Sequence, residues 1–89
     1  MDFAPFERLL KAEGFRRVYV WTDAPQASYA DHTHAVDTAH IVLDGELTLT
    51  CGRDTRTYTA GERAPDVAAG AVHSARMGPT GCRYLIGER

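Results

Sequence analysis

Apolar residues repeat with a helical period over residues 3–14 of this chain. Phe6, Leu9 and Leu10 fall on one face of the predicted helix, and a proline in the first turn suits its start. Gly14 is suited to the position just after the last helical residues. Because a helix this short does not persist alone in water, we expect its apolar face to pack on the rest of the chain.

The hydrophobic period changes to two from residue 15 onward, which indicates β-strands. Val18 and Val20 fall on one face of the first strand, and Tyr19 and Trp21 fall on the other. Further short strands are predicted at residues 27–34, 38–43, 46–51, 55–59, 62–67, 71–76 and 82–86, separated by turn signals at 44–45, 52–54, 60–61, 69–70 and 78–81. Short strands at this spacing are typical of an all-β sandwich or barrel. We therefore predict a single domain over residues 1–89, with a helix at 3–14 and a barrel at 15–87.

The size and charge of the chain narrow the classes of function. With 89 residues, a domain buries roughly 60–65% of its unfolded surface, which excludes an enzyme with two lobes. The net charge of −2 argues against nucleic acid as a partner, because such domains usually carry a basic stripe. No apolar run is long enough to span a membrane, and the first residues do not resemble a secretory signal. We expect a cytoplasmic protein that binds neither nucleic acid nor membrane.

The cysteines, Cys51 and Cys82, are too few and too far apart for a disulfide scaffold. Neither belongs to a C-x-x-C pair of the kind found in redox and zinc-ribbon sites. We expect both to behave as small apolar side chains within strands.

The histidines are the residues that suggest chemistry. His32 and His34 form a His-x-His pair, and on a strand both rings would project to the same face. This pair alone is a weak signal, so its context must support it. That context is the segment from His40 to Glu46, which follows the pair, and the later segment from Val67 to His73.

These motifs resemble those of the cupin family over about residues 18–86. In the first cupin motif a His-x-His pair is followed by a glutamate and then a glycine, and His32, His34 and Gly45 match it. In the second motif a glycine precedes a histidine, and Gly70 and His73 match. The chain departs from the pattern at four positions, where Thr38 replaces the glutamate, Ala68 the proline, Met77 the asparagine and Gln26 the first glycine.

The resemblance implies a cupin-like double-stranded β-barrel, or jelly roll, and a divalent transition metal held by His32, His34 and His73. Imidazole ligands suit zinc, nickel, iron or copper, and manganese is a further candidate. Because Thr38 removes the usual carboxylate, we expect its hydroxyl to bind a water or a substrate.

His40 and Tyr84 are the candidate catalytic residues. Strand alternation places His40 on the same face as Thr38, where it could be a fourth metal ligand, a base beside the metal, or a side chain that fills the barrel. Tyr84 could contribute its hydroxyl to the cavity or simply pack in the core.

The same alternation describes the walls of the site. Ala71, Ala75 and Met77 share the face of His73, so we expect a small-walled apolar pocket without an inward Arg or Lys. Tyr29 has the parity of the outward residues of its strand and is expected to point away from the histidine pair.

Two expectations about assembly and function complete the sequence analysis. The strand at Ile41, Val42 and Leu43 is apolar on both faces, which predicts a cover beyond the helix and hence a homodimer. The resemblance implies metal-dependent oxidation or isomerisation of a small organic molecule. The alternative is a non-catalytic module that binds or senses a small molecule without an essential metal. A metal-free isomerase that uses His73 and Tyr84 is a third hypothesis.

Overall fold

The computed structural model describes residues 2–89, which form one helix and six antiparallel strands. These are α1 (Ala4–Ala12), β1 (Arg17–Asp23), β2 (Ser28–His32), β3 (Thr38–Cys51), β4 (Asp54–Thr59), β5 (Arg63–Val67) and β6 (His73–Glu88). The all-β prediction and the short N-terminal helix are confirmed. Within residues 2–89, no helix is both long and apolar enough to cross a membrane.

Strands β3 and β6 are the two longest strands and form the centre of the sheet, because they pair along most of their length. The main path of the sheet runs β1-β6-β3-β4, while β2 also pairs with β6 and β5 with β3. One end of the long pair matches Thr38 with Glu88, and the other matches Cys51 with His73. Most residues that line the cavity therefore lie on one of these two strands or on a strand paired with β6.

The turns predicted at 44–45 and 78–81 are wrong, because the chain continues as strand through both segments. The register between β3 and β6 shifts around Gly45, which lies where a turn at 44–45 was predicted. Gly45 has φ 82° and Gly81 has φ 80°, values that favour glycine. A Cβ at Gly45 would collide with the Gly81 carbonyl. These glycines form bulges that bend both strands instead of ending them.

The helix ends in a Schellman motif that directs the chain into β1. The amide of Gly14 donates to the Lys11 carbonyl at 3.0 Å, and the amide of Phe15 donates to the Leu10 carbonyl at 3.1 Å. Leu10 is completely buried, whereas Leu9 is 46% exposed. The prediction that Leu9 packs inward is therefore wrong, since the helix contacts the barrel along a narrower stripe.

The helix covers the outer face of the barrel. Its Leu10 joins Phe15, Ile41, Leu43 and Leu85 in one core cluster. The other face of β3 contributes to a second cluster beneath the cavity, which includes Val42, Leu47, Met77, Cys82 and Tyr84. Both apolar faces of the 41–43 segment are thus covered within a single copy of the chain. The homodimer stays a prediction, and it no longer follows from this strand.

The cysteines lie in different environments. Cys82 is buried in the second cluster, as expected of a small apolar side chain. Cys51 also lies in a strand, as expected, but it is exposed at the end of β3. Both are free thiols.

Candidate metal centre and ligand cavity

Three histidines come together at one end of the long strand pair. His32 ends β2 and is paired with His73, the first residue of β6. His34 follows in the connecting segment, where its carbonyl accepts the Gly70 amide at 2.9 Å. One ring nitrogen from each histidine lies within 4.8 Å of the other two. The three side chains predicted as a group are therefore adjacent in the fold.

Backbone carbonyls orient two of the three rings. Nδ1 of His32 lies 2.7 Å from the Ala30 carbonyl oxygen, and Nδ1 of His73 lies 3.0 Å from that of Ala71. Because a carbonyl oxygen only accepts, each Nδ1 must carry the hydrogen, which leaves the Nε2 lone pair free in the neutral ring. This is the arrangement usually seen around metal-binding histidines.

The donor set fits a divalent transition ion. Burial lowers the pKa of His34 below its ordinary value, and the neighbouring His73 and His32 lower it further, which favours the neutral, ligating form. Zn–N bonds of about 2.0–2.1 Å in a tetrahedral site separate ligand nitrogens by about 3.3 Å, which is compatible with nitrogens that lie within 4.8 Å of one another. An all-imidazole set suits zinc, copper, nickel or iron better than manganese, which prefers oxygen ligands.

A cavity of about 270 Å³ opens beside the three histidines. Leu47, Leu49, Ala75 and Ile86 form its apolar walls. No lysine or arginine is among its lining residues in the described part of the chain, as the sequence predicted. The volume is suited to a small organic molecule, because sites for drug-sized ligands begin at about 300 Å³.

The deep part of the cavity contains two buried polar atoms without a protein partner. Oγ1 of Thr38 and Nδ1 of His40 are buried, and neither has a hydrogen-bond partner within residues 2–89. Burial lowers the pKa of His40 to about 4, with smaller contributions from the three other histidines. An unpaired buried polar atom costs about 1–3 kcal/mol, which a polar group of a ligand or a water would offset. His40 is not part of the close nitrogen group within residues 2–89.

Tyr84 lines the cavity, but its hydroxyl is already engaged. It donates to Oδ2 of Asp23 at 2.7 Å. Burial first, and then this hydrogen bond, raise the pKa of Tyr84 well above its ordinary value. Tyr84 therefore both lines the cavity and packs its ring in the second core cluster, the two roles that the sequence left open.

The walls next to His73 differ in part from the prediction. Ala75 lines the cavity beside His73. Met77, expected on the same face, is buried in the second core cluster and is not among the lining residues. Ala71 precedes the strand and contributes its carbonyl rather than its side chain.

Tyr29 was expected to point away from the site, and this prediction is wrong. The β2–β6 register shifts between Tyr29 and His32, which reverses the simple alternation. The Tyr29 ring lies in the cavity lining, with its centroid 6.2 Å from that of His32. Sequence reasoning also missed Glu88 as a lining residue. Tyr19 and Trp21 also line the cavity. Their position on one face of β1 was the signal in the sequence that this face of the strand contributes to the site.

An antiparallel barrel with three inward histidines beside a small cavity is the arrangement expected of a cupin. Sequence comparison does not identify a family, because the chain matches no family model and no curated protein. Solved structures do match it. A protein of unknown function from Rhizobium leguminosarum is 27% identical with a TM-score of 0.74, and the match covers 80% of this chain and 66% of that one.

Two further structures identify the fold. A cupin-2 domain protein from Shewanella frigidimarina is 25% identical with a TM-score of 0.67, covering 80% of this chain and 67% of that one. DMSP lyase DddQ from Ruegeria pomeroyi is 22% identical with a TM-score of 0.73, covering 81% and 36% respectively. This chain has the cupin double-stranded β-helix fold. Its matched region spans about two thirds or less of the length of these structures.

Proposed function

We propose that this chain is a small metal-binding cupin in which His32, His34 and His73 hold one divalent transition ion. The adjacent cavity would bind a small organic molecule against that ion. The observation that supports this most directly is the set of ring nitrogens within 4.8 Å of one another. The similarity to a lyase of the same fold is consistent with an enzymatic role, although at 22% identity it shows the fold alone.

The surroundings of the histidines would support such chemistry. When bound, a divalent ion with three neutral ligands polarises a substrate oxygen or activates water. The carbonyls of Ala30 and Ala71 fix the ring orientations of His32 and His73. The apolar walls lower the local polarity, which strengthens polar interactions inside the cavity. Metal-dependent oxidation or isomerisation of a small organic molecule is the activity we propose on this basis.

A non-catalytic binding or sensing module is the second candidate. The pKa of His40 and the hydrogen bond of the Tyr84 hydroxyl favour it. A general base works best with a pKa near the operating pH, whereas the pKa of His40 is about 4. The Tyr84 hydroxyl is occupied by Asp23. Neither residue is poised to move protons near pH 7. An enzyme built on this site would therefore depend chiefly on the ion.

Metal content measured by elemental mass spectrometry tests the proposal. The protein is purified without a tag or a chelator, because a His-tag would bind the same ions. We expect about one ion per chain, and a loss of most of it in His34→Ala, since a site with only three protein ligands depends on all of them. His40→Gln is the matched control, because it also removes one histidine but leaves the three close nitrogens intact. Circular dichroism verifies that both variants fold.

Two results would contradict the metal site. One is less than about a tenth of an equivalent after adding zinc, nickel, iron or copper, because three preorganised imidazoles should capture at least one of these ions. The other is equal metal loss in His34→Ala and His40→Gln. If metal is present, an enzyme loses turnover in His32→Ala with only part of its ligand affinity changed. A binding module shows no turnover to lose.

A further inference from the structure

Three aromatic side chains at the cavity mouth share one carboxylate. Trp21 Nε1 donates to Oδ1 of Asp23 at 3.1 Å, and the Tyr29 hydroxyl donates to the same oxygen at 2.6 Å. The Tyr84 hydroxyl donates to Oδ2 at 2.7 Å. All three aromatic residues line the cavity. We call these four residues, which come from β1, β2 and β6, the Asp23 cluster.

The hydrogen bonds of the Asp23 cluster increase the negative character of its rings. A phenol or indole that donates to a carboxylate is polarised, so electron density on its ring rises. The face of an aromatic ring is already its negative side, and it attracts cations. Each of the three rings that donate to this anion therefore attracts positive charge more strongly than an unpolarised ring does.

The Asp23 carboxylate has no balancing cation. Among residues 2–89, no lysine, arginine or histidine nitrogen lies within ion-pair distance of Asp23. The other carboxylate at the mouth, Glu88, differs in this respect because Arg17 lies 3.5 Å from it. The Arg17 guanidinium also lies over the Tyr19 ring, 4.8 Å from its centroid. Tyr19, whose hydroxyl donates to Glu88, thus has a cation on its face, and the Asp23 cluster repeats this arrangement without one.

The cluster is accessible from solution as well as from the cavity. Trp21 is 48% exposed and Tyr29 is 38% exposed, although both are large aromatic side chains. Their polar atoms are fixed by hydrogen bonds, so their rings are held in place before any ligand arrives. Preorganised aromatic surface beside an unbalanced anion recognises methylated ammonium groups in proteins.

We propose that the Asp23 cluster binds the cationic group of the ligand, a quaternary ammonium or a similarly methylated onium group. This names the ligand class of the cavity and to that extent rests on the proposed function. The cationic contact itself requires no metal, because none of the three metal-site histidines belongs to the Asp23 cluster. Any oxygen of such a ligand would lie toward the histidines, and its positive end would lie at the mouth.

The test compares tetramethylammonium with tert-butyl alcohol, which has nearly the same size and shape but no charge. Both are titrated into chelator-treated, metal-free protein at constant ionic strength. Trp21 is the single tryptophan of the chain, so its fluorescence reports directly on the cluster. We expect saturable binding of tetramethylammonium that is roughly tenfold stronger than binding of the alcohol.

Asp23→Asn is the decisive variant, because it removes the charge and retains an oxygen that accepts from Trp21 and Tyr29. Asp54→Asn is the matched control, since Asp54 is exposed in a hairpin and, unlike Asp23, accepts no hydrogen bond from an aromatic residue of the cavity lining. We expect Asp23→Asn to weaken tetramethylammonium binding roughly tenfold and Asp54→Asn to leave it unchanged. Equal affinity for cation and alcohol, no saturable response, or equal effects of the two variants would overturn the proposal. The wild-type comparison remains decisive even if Asp23→Asn does not fold.

The two proposals fail separately. A chain that contains no metal but binds tetramethylammonium selectively would refute the metal site and leave the cation site standing. A chain that contains metal but treats the two probes alike would refute only the cation site.

Discussion

Replacing His40 by leucine should change how the stability of the metal-free protein depends on pH. His40 has a pKa lowered from its ordinary value of 6.5 to about 4, mainly by burial. Between these values the unfolded chain takes up a proton at His40 that the folded protein refuses, so acid favours unfolding. The stabilising contribution of neutral His40 is present above pH 6.5 and is lost as the pH falls toward about 4.

The magnitude follows from the two pKa values. The full effect of lowering a pKa from 6.5 to about 4 is about 3 kcal/mol, reached below pH 4. At pH 5, the unfolded chain is almost fully protonated at this residue and the folded protein is not, which gives about 2 kcal/mol relative to pH 7.5. Leucine has no proton to gain, so His40→Leu should lose about 2 kcal/mol less than the wild type over this interval.

Urea unfolding of both proteins at pH 5 and pH 7.5, with a chelator present, measures this difference. His34 also has a lowered pKa, so both proteins should still lose some stability in acid. Only the difference between the two proteins reports on His40. Parallel losses would refute the reasoning, because they would mean that His40 titrates normally and that water reaches the deep part of the cavity.

Two further predictions concern the strands and the thiols. In urea titrations, Gly45→Ala should lower the free energy of unfolding by about 2 kcal/mol more than Gly52→Ala does. Both glycines have positive φ, but only Gly45 lies against the Gly81 carbonyl, where a Cβ would collide. Similar losses in the two variants would contradict the bulge. Cys51 should react with a thiol reagent at pH 8 while Cys82 stays protected in the native protein, because Cys51 is exposed and burial raises the pKa of Cys82 to about 12. Mass spectrometry of the labelled protein checks this, and rapid double labelling without denaturant would contradict the burial of Cys82.

The sequence predicts the fold class because apolar and polar residues alternate along most of the strands. The resemblance to the cupin motifs also predicts the grouping of His32, His34 and His73. The bulges are where sequence reasoning fails, since a glycine with positive φ is equally consistent with a turn and with a bent strand. Only the pairing partner distinguishes these two conformations, and that partner is distant in sequence.

The same cause hides the cavity mouth. Parity places Tyr29 on the outside, but one register shift in β2 moves its ring into the lining. In the sequence, Asp23 precedes Ala24 and Pro25 and therefore resembles a turn residue. Its role becomes visible only once Tyr84, 61 residues away, is brought to its carboxylate. Local patterns therefore identify the histidines and miss the groups that long-range pairing assembles.

The pairing of β6 with β1 and β2 has a consequence for when the site forms during folding. His73 begins β6, and the same strand contributes Tyr84 and Glu88 to the cavity. Until β6 has paired, His32 lacks its partner across the sheet and Asp23 lacks the tyrosine that donates to it. Pairings this far apart in sequence form slowly, because the entropy of closing the long loop is lost before the contacts compensate. We therefore expect an ion to bind all three histidines only after β6 has paired.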